Sequence, residues 1–148
     1  MRILAATDGS RGGTAALRFA ARLVSADSDS ELIVLTVAKP QPEAAAPEGI
    51  QPNGLRHRAE KILKAAAHQL RGQAMPIQYR FVTPRPTAQV PETISREADR
   101  LKADLVVVGS EGRDTLSEWV LGGTALRLVY VSRRPVTVVR PPRRRKAS

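Results

Sequence analysis

The chain has 148 residues, 42% of them hydrophobic, and a net charge of +10 from 24 Lys and Arg against 14 Asp and Glu; one domain of this size can bury roughly 68–70% of its unfolded surface, enough for a core without covalent staples. Cysteine is absent, so disulfides and thiolate metal sites are excluded, and two histidines, His57 and His68, are too few soft ligands for a structural zinc. No apolar run approaches the roughly 18 residues that span a bilayer, and the opening MRILAATDGS lacks the ordered regions of a signal peptide, so a soluble, cytoplasmic protein is expected.

Residues 2–6, RILAA, form a short apolar run that stops at Thr7, Asp8, Gly9 and Ser10. Ala16, Leu17, Ala20, Ala21, Leu23 and Val24 then recur with helical spacing, giving strand, loop and helix. Residues 31–37, ELIVLTV, are almost continuously apolar, as in a parallel strand covered on both faces. From Ala38 to Gly54 four prolines and two glycines predict an exposed, irregular connection. Leu55 to Leu70 reads as a helix, with Ala59, Ile62, Leu63, Ala66, Ala67 and Leu70 inward and Gly72 as its stop.

Residues 76–82, PIQYRFV, alternate Ile77, Tyr79 and Phe81 with polar positions, which suits a strand with one side less buried. Thr87 to Lys102 is the third helix, with Ala88, Pro91, Ile94, Ala98 and Leu101 as its inner stripe. Proline is most comfortable in a first turn, which places the regular start at Pro91. DLVVVGS, residues 104–110, is a central strand with four consecutive large aliphatic residues. Leu121, Ala125, Leu128, Val129 and Ser132 mark a last helix, against the β-branched content of LVYVS, and residues 136–139, VTVV, a final strand. Five positive charges then fall within the last nine residues, Arg140, Arg143, Arg144, Arg145 and Lys146, leaving +5 on the rest, interleaved with acids. Residues 141–148 read as a basic, disordered, solubilising tail that touches nucleic acid only weakly and nonspecifically.

Strands alternating with helices predict a single doubly wound α/β domain: a five-stranded parallel sheet with helices on both faces. Ligands of such sheets bind outside the carboxyl ends of the strands, where strand order reverses, so the loops after Ala6, Val37 and Val108 are the candidates. Gly109 and Gly112 stand at the exit of the fourth strand, Gly122 and Gly123 at the threshold of the last helix. Bare glycine backbone lets amides approach a phosphate and turn through positive φ, and the helix start adds free N–H groups, its dipole and the Thr124 hydroxyl. The first loop, Gly9 to Thr14, has no lysine ahead of its threonine and is no Walker A loop. No Gly-x-Gly-x-x-Gly follows any strand, which argues against dinucleotides.

The opening ILAATDGS with its alanine-rich helix, the strand LIVLTVA, and DLVVVGSEGR, LGG and SRRPVTVVR near the end together resemble the universal stress protein family over Met1 to Arg140. The resemblance implies a Rossmann-like fold of the adenine nucleotide alpha hydrolase type and an ATP-binding regulatory module in stress response, with ATP bound with or without magnesium. Gly109, Gly112 and Gly122 match the family's Gly-x-x-Gly, nine residues, then Gly. The family's next residue is Ser or Thr; here it is Gly123, with Thr124 one place late. That departure implies loss of one neutral hydrogen bond, about 0.5–1.5 kcal/mol, at a helix start that still offers the N–H of Gly123 and Thr124. By the same resemblance Asp8 approaches the ribose hydroxyls, the Val37 backbone meets adenine, and Ser110 lies beside the phosphates.

Each residue has a plainer alternative. Asp8 can close a turn with Gly9 and Ser10 or cap the helix, Val37 can be core, and Gly109 and Gly112 can be turn formers. Arg113 either neutralises phosphate or faces solvent at the rim. Glu111 and Asp114 read as holders of a magnesium ion or as exposed loop acids, and His57 and His68 take no role. No residues supply a positioned water, base and charge compensation together, so a binding module that at most hydrolyses ATP slowly is expected. Two hypotheses stand: a nucleotide-binding regulator favoured by the three glycines, and a non-nucleotide dimer acting through protein or nucleic-acid contacts, favoured by Gly123. An exposed apolar edge at 136–139 predicts a homodimer paired antiparallel across a two-fold axis.

Overall fold

The computed structural model describes residues 1–39, 52–111 and 121–143. The elements follow in the order β1 (Arg2–Ala6), α1 (Arg11–Ser25), β2 (Glu31–Val37), α2 (Pro52–Gln69), β3 (Ile77–Val82), α3 (Val90–Arg100), β4 (Leu105–Gly109), α4 (Gly123–Val131) and β5 (Val136–Val139). All five strands are parallel, in the order β3-β2-β1-β4-β5. Strand order therefore reverses between β1 and β4.

Alternation along each strand sends side chains to two cores. Ile3, Ala5, Leu32, Val34 and Val107 meet Ala16, Leu17, Ala20 and Val24 of α1 and Ala66 of α2 on one face. Leu4, Ile33, Leu35, Val106 and Val108 meet Ile94 and Ala98 of α3 and Ala125 and Leu128 of α4 on the other. Both faces of the sheet are covered, which is why β2 and β4 read as continuous apolar runs. Ser10 caps α1 by accepting the Gly13 N–H at 3.2 Å.

Boundaries shift where local chemistry competes. Of the expected irregular connection 38–54, residues 40–51 lie outside the described part, and α2 begins earlier than expected, at Pro52, because proline suits a first turn. α3 begins at Val90 rather than Thr87, with Pro91 again in the first turn. α4 forms despite its β-branched residues because Ala125 and Leu128 are buried on α3 and the sheet, but Val129, expected inward, is exposed. On β3, Ile77 packs on the core whereas Tyr79 and Phe81 remain 38% and 37% exposed, since β3 is an edge strand. Of the expected tail at 141–148, residues 144–148 lie outside the described part.

Candidate functional site

The reversal of strand order places the carboxyl ends of β1 and β4 side by side, and the N-terminus of α1 closes one side of that corner. A Cβ built on Gly109 would stand 2.3 Å from the carbonyl carbon of Gly12, and one on Gly12 would stand 2.0 Å from the Glu111 carbonyl oxygen. A Cβ on Gly13 would meet Thr7 Oγ1 at 2.4 Å. These glycines let the first turn of α1 lie directly on the exit of β4. Among the described glycines only Gly9 (φ 78°) and Gly72 (φ 82°) adopt positive φ, so Gly109 does not serve as a left-handed hinge. The missing side chain of Gly109 is therefore required by backbone packing.

Two amides of the corner are already engaged. Ser110 N–H donates to the Val139 carbonyl at 2.8 Å, and Gly122 N–H donates to the Ser110 carbonyl at 2.7 Å. The second bond fixes where α4 starts, beneath the exit of β4.

A separate concavity lies at the starts of α3 and α4. A groove of about 530 Å³ is lined by Lys39 after β2, by Gln89, Val90, Pro91 and Glu92 at the start of α3, and by Gly123, Thr124 and Arg127 at the start of α4. Two helix N-termini therefore share one groove, yet differ electrostatically. The start of α3 carries its own counter-charge in Glu92. α4 has no acid in its first turn and is capped by Gly122, which has no side chain to fold back on its amides. Intrahelical bonding begins with Leu126 N–H to the Gly122 carbonyl at 3.0 Å, so Gly123, Thr124 and Ala125 have no acceptor within the helix. Among the described residues a Cβ on Gly123 would meet nothing within 4 Å, which leaves that amide approachable from them.

Arg127 lies one turn into α4, and its Nε donates to Glu92 Oε1 at 2.8 Å. This hydrogen bond is the first cause that holds the Glu92 carboxyl below its usual range, and the backbone N–H at the start of α3 adds to it. The pair keeps a guanidinium at the groove while cancelling its charge, and among the described lining residues Lys39 is the cation without an acidic partner.

The sequence-predicted residues are thus distributed. Gly123 and Thr124 line the groove. Asp8 Oδ1 accepts the Ser10 N–H at 2.9 Å, the turn-closing arrangement, while capping of α1 falls to Ser10. Val37 is half-buried, paired in register with Val82 and packed on the α3–α4 core. Ser110 lines a separate cavity of about 190 Å³ with Arg11, Glu111, Arg140, Pro141, Pro142 and Arg143. Arg11 Nη2 bonds the Pro142 carbonyl there at 2.7 Å. Gly112, Arg113 and Asp114 lie outside the described residues, and His57 and His68 are exposed on α2. Sequence reasoning missed Lys39, Gln89, Glu92 and Arg127. Lys39 had a signal, its place just past the end of β2; the Glu92–Arg127 pair joins residues 35 apart and had none.

Among the described residues no group of three or more His, Cys, Asp or Glu is arranged to hold a metal ion, and no helix is long and apolar enough to cross a membrane.

A model of the universal stress protein family matches residues 1–140. No curated protein matches the chain. Among solved structures, the chain is similar to the hypothetical protein MJ0577, whose biochemical function was assigned from its structure, at 23% identity and a TM-score of 0.79 over 97% of each chain. It is similar at 25% identity and a TM-score of 0.70 to a universal stress protein in complex with cAMP, over 96% of this chain and 98% of that one. A universal stress protein from Archaeoglobus fulgidus in complex with dAMP matches at 20% identity and a TM-score of 0.67, over 94% of this chain and 97% of that one.

Proposed function

The chain belongs to the universal stress protein family, and from that premise we propose that it is a cytoplasmic, ATP-binding regulatory module of stress response. The phosphates lie on the amides of Gly123 and Thr124 at the start of α4, with Thr124 supplying a hydroxyl and Lys39 a positive charge. One observation carries this reading: α4 opens on an approachable glycine, without an acid in its first turn, at the edge of a groove of about 530 Å³. That volume lies within the roughly 300–1,000 Å³ usual for small-ligand sites. The similar structure in complex with cAMP supports an adenine nucleotide as the class of ligand. A nucleotide seated there would sit near Glu92, and its phosphates would draw Arg127 from that carboxylate. Asp8, Val37, Gly109, Ser110 and Gly122 act in this reading as the frame behind the groove, with Gly112 and Arg113 in the segment that joins β4 to α4.

Calorimetry with ATP, AMP and cAMP, with and without magnesium, tests the proposal. Saturable binding that weakens at least tenfold in Gly123→Asp, which sets a carboxylate against the phosphates, is the expected outcome. Absence of heat for all three nucleotides at millimolar concentration overturns it.

A second reading, a homodimer working without nucleotide, is favoured by the amides of Ser110 and Gly122 being internally bonded. Its pairing surface would be β5, an edge strand whose four residues are all half-buried, beside the exposed Leu126, Val129 and Tyr130 of α4. Dimerisation through β5 is compatible with either reading.

A further inference from the structure

Outside the C-terminal tail the charge is spread unevenly over the elements, although Arg11 of α1 is paired with Glu111 at 3.8 Å. α1 and α2 together carry seven Arg and Lys against one acid, Glu60, for +6. The rest of residues 1–139 has twelve basic against thirteen acidic side chains, or −1. Glu60 is itself bound by Arg56 at 2.8 Å. Both helices lie on the same face of the sheet, joined through the core and by Gln69 Nε2 to the Thr14 carbonyl at 3.0 Å.

Helical spacing aims Arg18, Arg22, Lys61 and Lys64, with two histidines, away from the sheet. α1 buries Gly13, Ala16, Leu17, Ala20 and Val24, so Arg18 and Arg22 stand opposite the core. α2 buries Ala59 and Ala66, so His57, Lys61, Lys64 and His68 stand opposite it, all exposed. At 1.5 Å per residue the two lysines of this row, Lys61 and Lys64, stand about 4.5 Å apart along the helix axis. Of the exposed large apolar side chains among the described residues, Met1, Tyr79, Phe81, Leu126, Val129 and Tyr130, none belongs to α1 or α2. A surface that inserts into lipid needs such residues among its cations, and one that stacks single-stranded bases needs aromatic rings. A rigid face carrying Arg18, Arg22, Lys61 and Lys64 without either matches a phosphate backbone.

We propose that the α1–α2 face binds double-stranded nucleic acid through its phosphates, without reading sequence. The probe is a labelled 30-base-pair DNA of random sequence, followed by anisotropy between 50 and 200 mM KCl. Four phosphate contacts predict a slope of log affinity on log salt of about −3.6, or an affinity loss of about 150-fold across that range. Replacing Arg18, Arg22, Lys61 and Lys64 by Gln should lower affinity at least tenfold at 50 mM and remove most of the slope. Replacing Arg143, Arg144, Arg145 and Lys146 by Gln should leave most of it. Circular dichroism melts report whether the face variant stays folded; if it does not, the pair Lys61→Gln and Lys64→Gln should still show about half of the slope lost. The proposal is overturned if wild type shows no salt-dependent binding, if the face variant binds unchanged, if the tail variant alone abolishes binding, or if phosphatidylglycerol vesicles are bound and duplex is not.

Discussion

Replacing Gly109 by Ala separates the two uses a glycine can have at the end of β4. The added Cβ would lie 2.3, 2.4 and 2.6 Å from the carbonyl carbon, carbonyl oxygen and Cα of Gly12. These are backbone atoms in the first turn of α1, so no side-chain rotation relieves them. α1 would have to move off the sheet by about 1 Å to restore ordinary contact, disturbing a helix that buries Leu17 and Val24 to 2% and 1% exposure. Overpacking of this kind costs typically 1–3 kcal/mol, and with backbone on both sides the upper end applies. For a domain of this size about 3 kcal/mol lowers Tm by roughly 6–12 °C. Gly123→Ala is the internal control, because among the described residues its Cβ meets nothing within 4 Å and Gly123 stands in α4 without positive φ. That substitution should leave Tm unchanged or raise it slightly. Differential scanning calorimetry of both variants, followed by ATP titration, gives the answer. A Gly109→Ala protein that melts like wild type but has lost nucleotide binding would refute the packing argument and return Gly109 to the ligand.

Leu128→Ala should cost about 2–5 kcal/mol in urea denaturation, because Leu128 is 0% exposed and anchors α4 to the second core. Glu92 is held below its ordinary value by Arg127, so its stabilising contribution is complete above the carboxylate range and disappears as pH falls through the depressed value. Glu92→Gln should therefore reduce stability at pH 7 and narrow the gap to wild type on acidification through and below the usual carboxylate range, measured as Tm against pH; a constant gap contradicts the pairing. Val138→Lys places a charge in the middle of the β5 edge and should shift a dimer to monomer in light scattering at micromolar concentration. Wild type that is already monomeric there removes the dimer from the proposal.

Much of this molecule was legible because its elements satisfy local and global demands together. The run of Leu32 to Leu35 is apolar on both sides because β2 is covered on both faces, and so its bounds and its parallel pairing followed from residue type alone. β1 was placed with the same bounds for the same reason, and β5, half-buried at the sheet edge, by its valine-rich run before the tail. Helix starts were less legible where proline sat nearby, since proline marks a first turn without saying which of its residues comes first. The glycines near the end of β4 announced close approach of something to backbone. What approaches Gly109 was decided by the packing angle of α1, which brings Gly12 there, and no local pattern encodes a contact across nearly a hundred positions of chain. The same holds for the groove between α3 and α4, whose Glu92 and Arg127 are brought together only by the fold, and for the charge, which looks mixed along the chain but gathers on two helices because both cross the same face of the sheet.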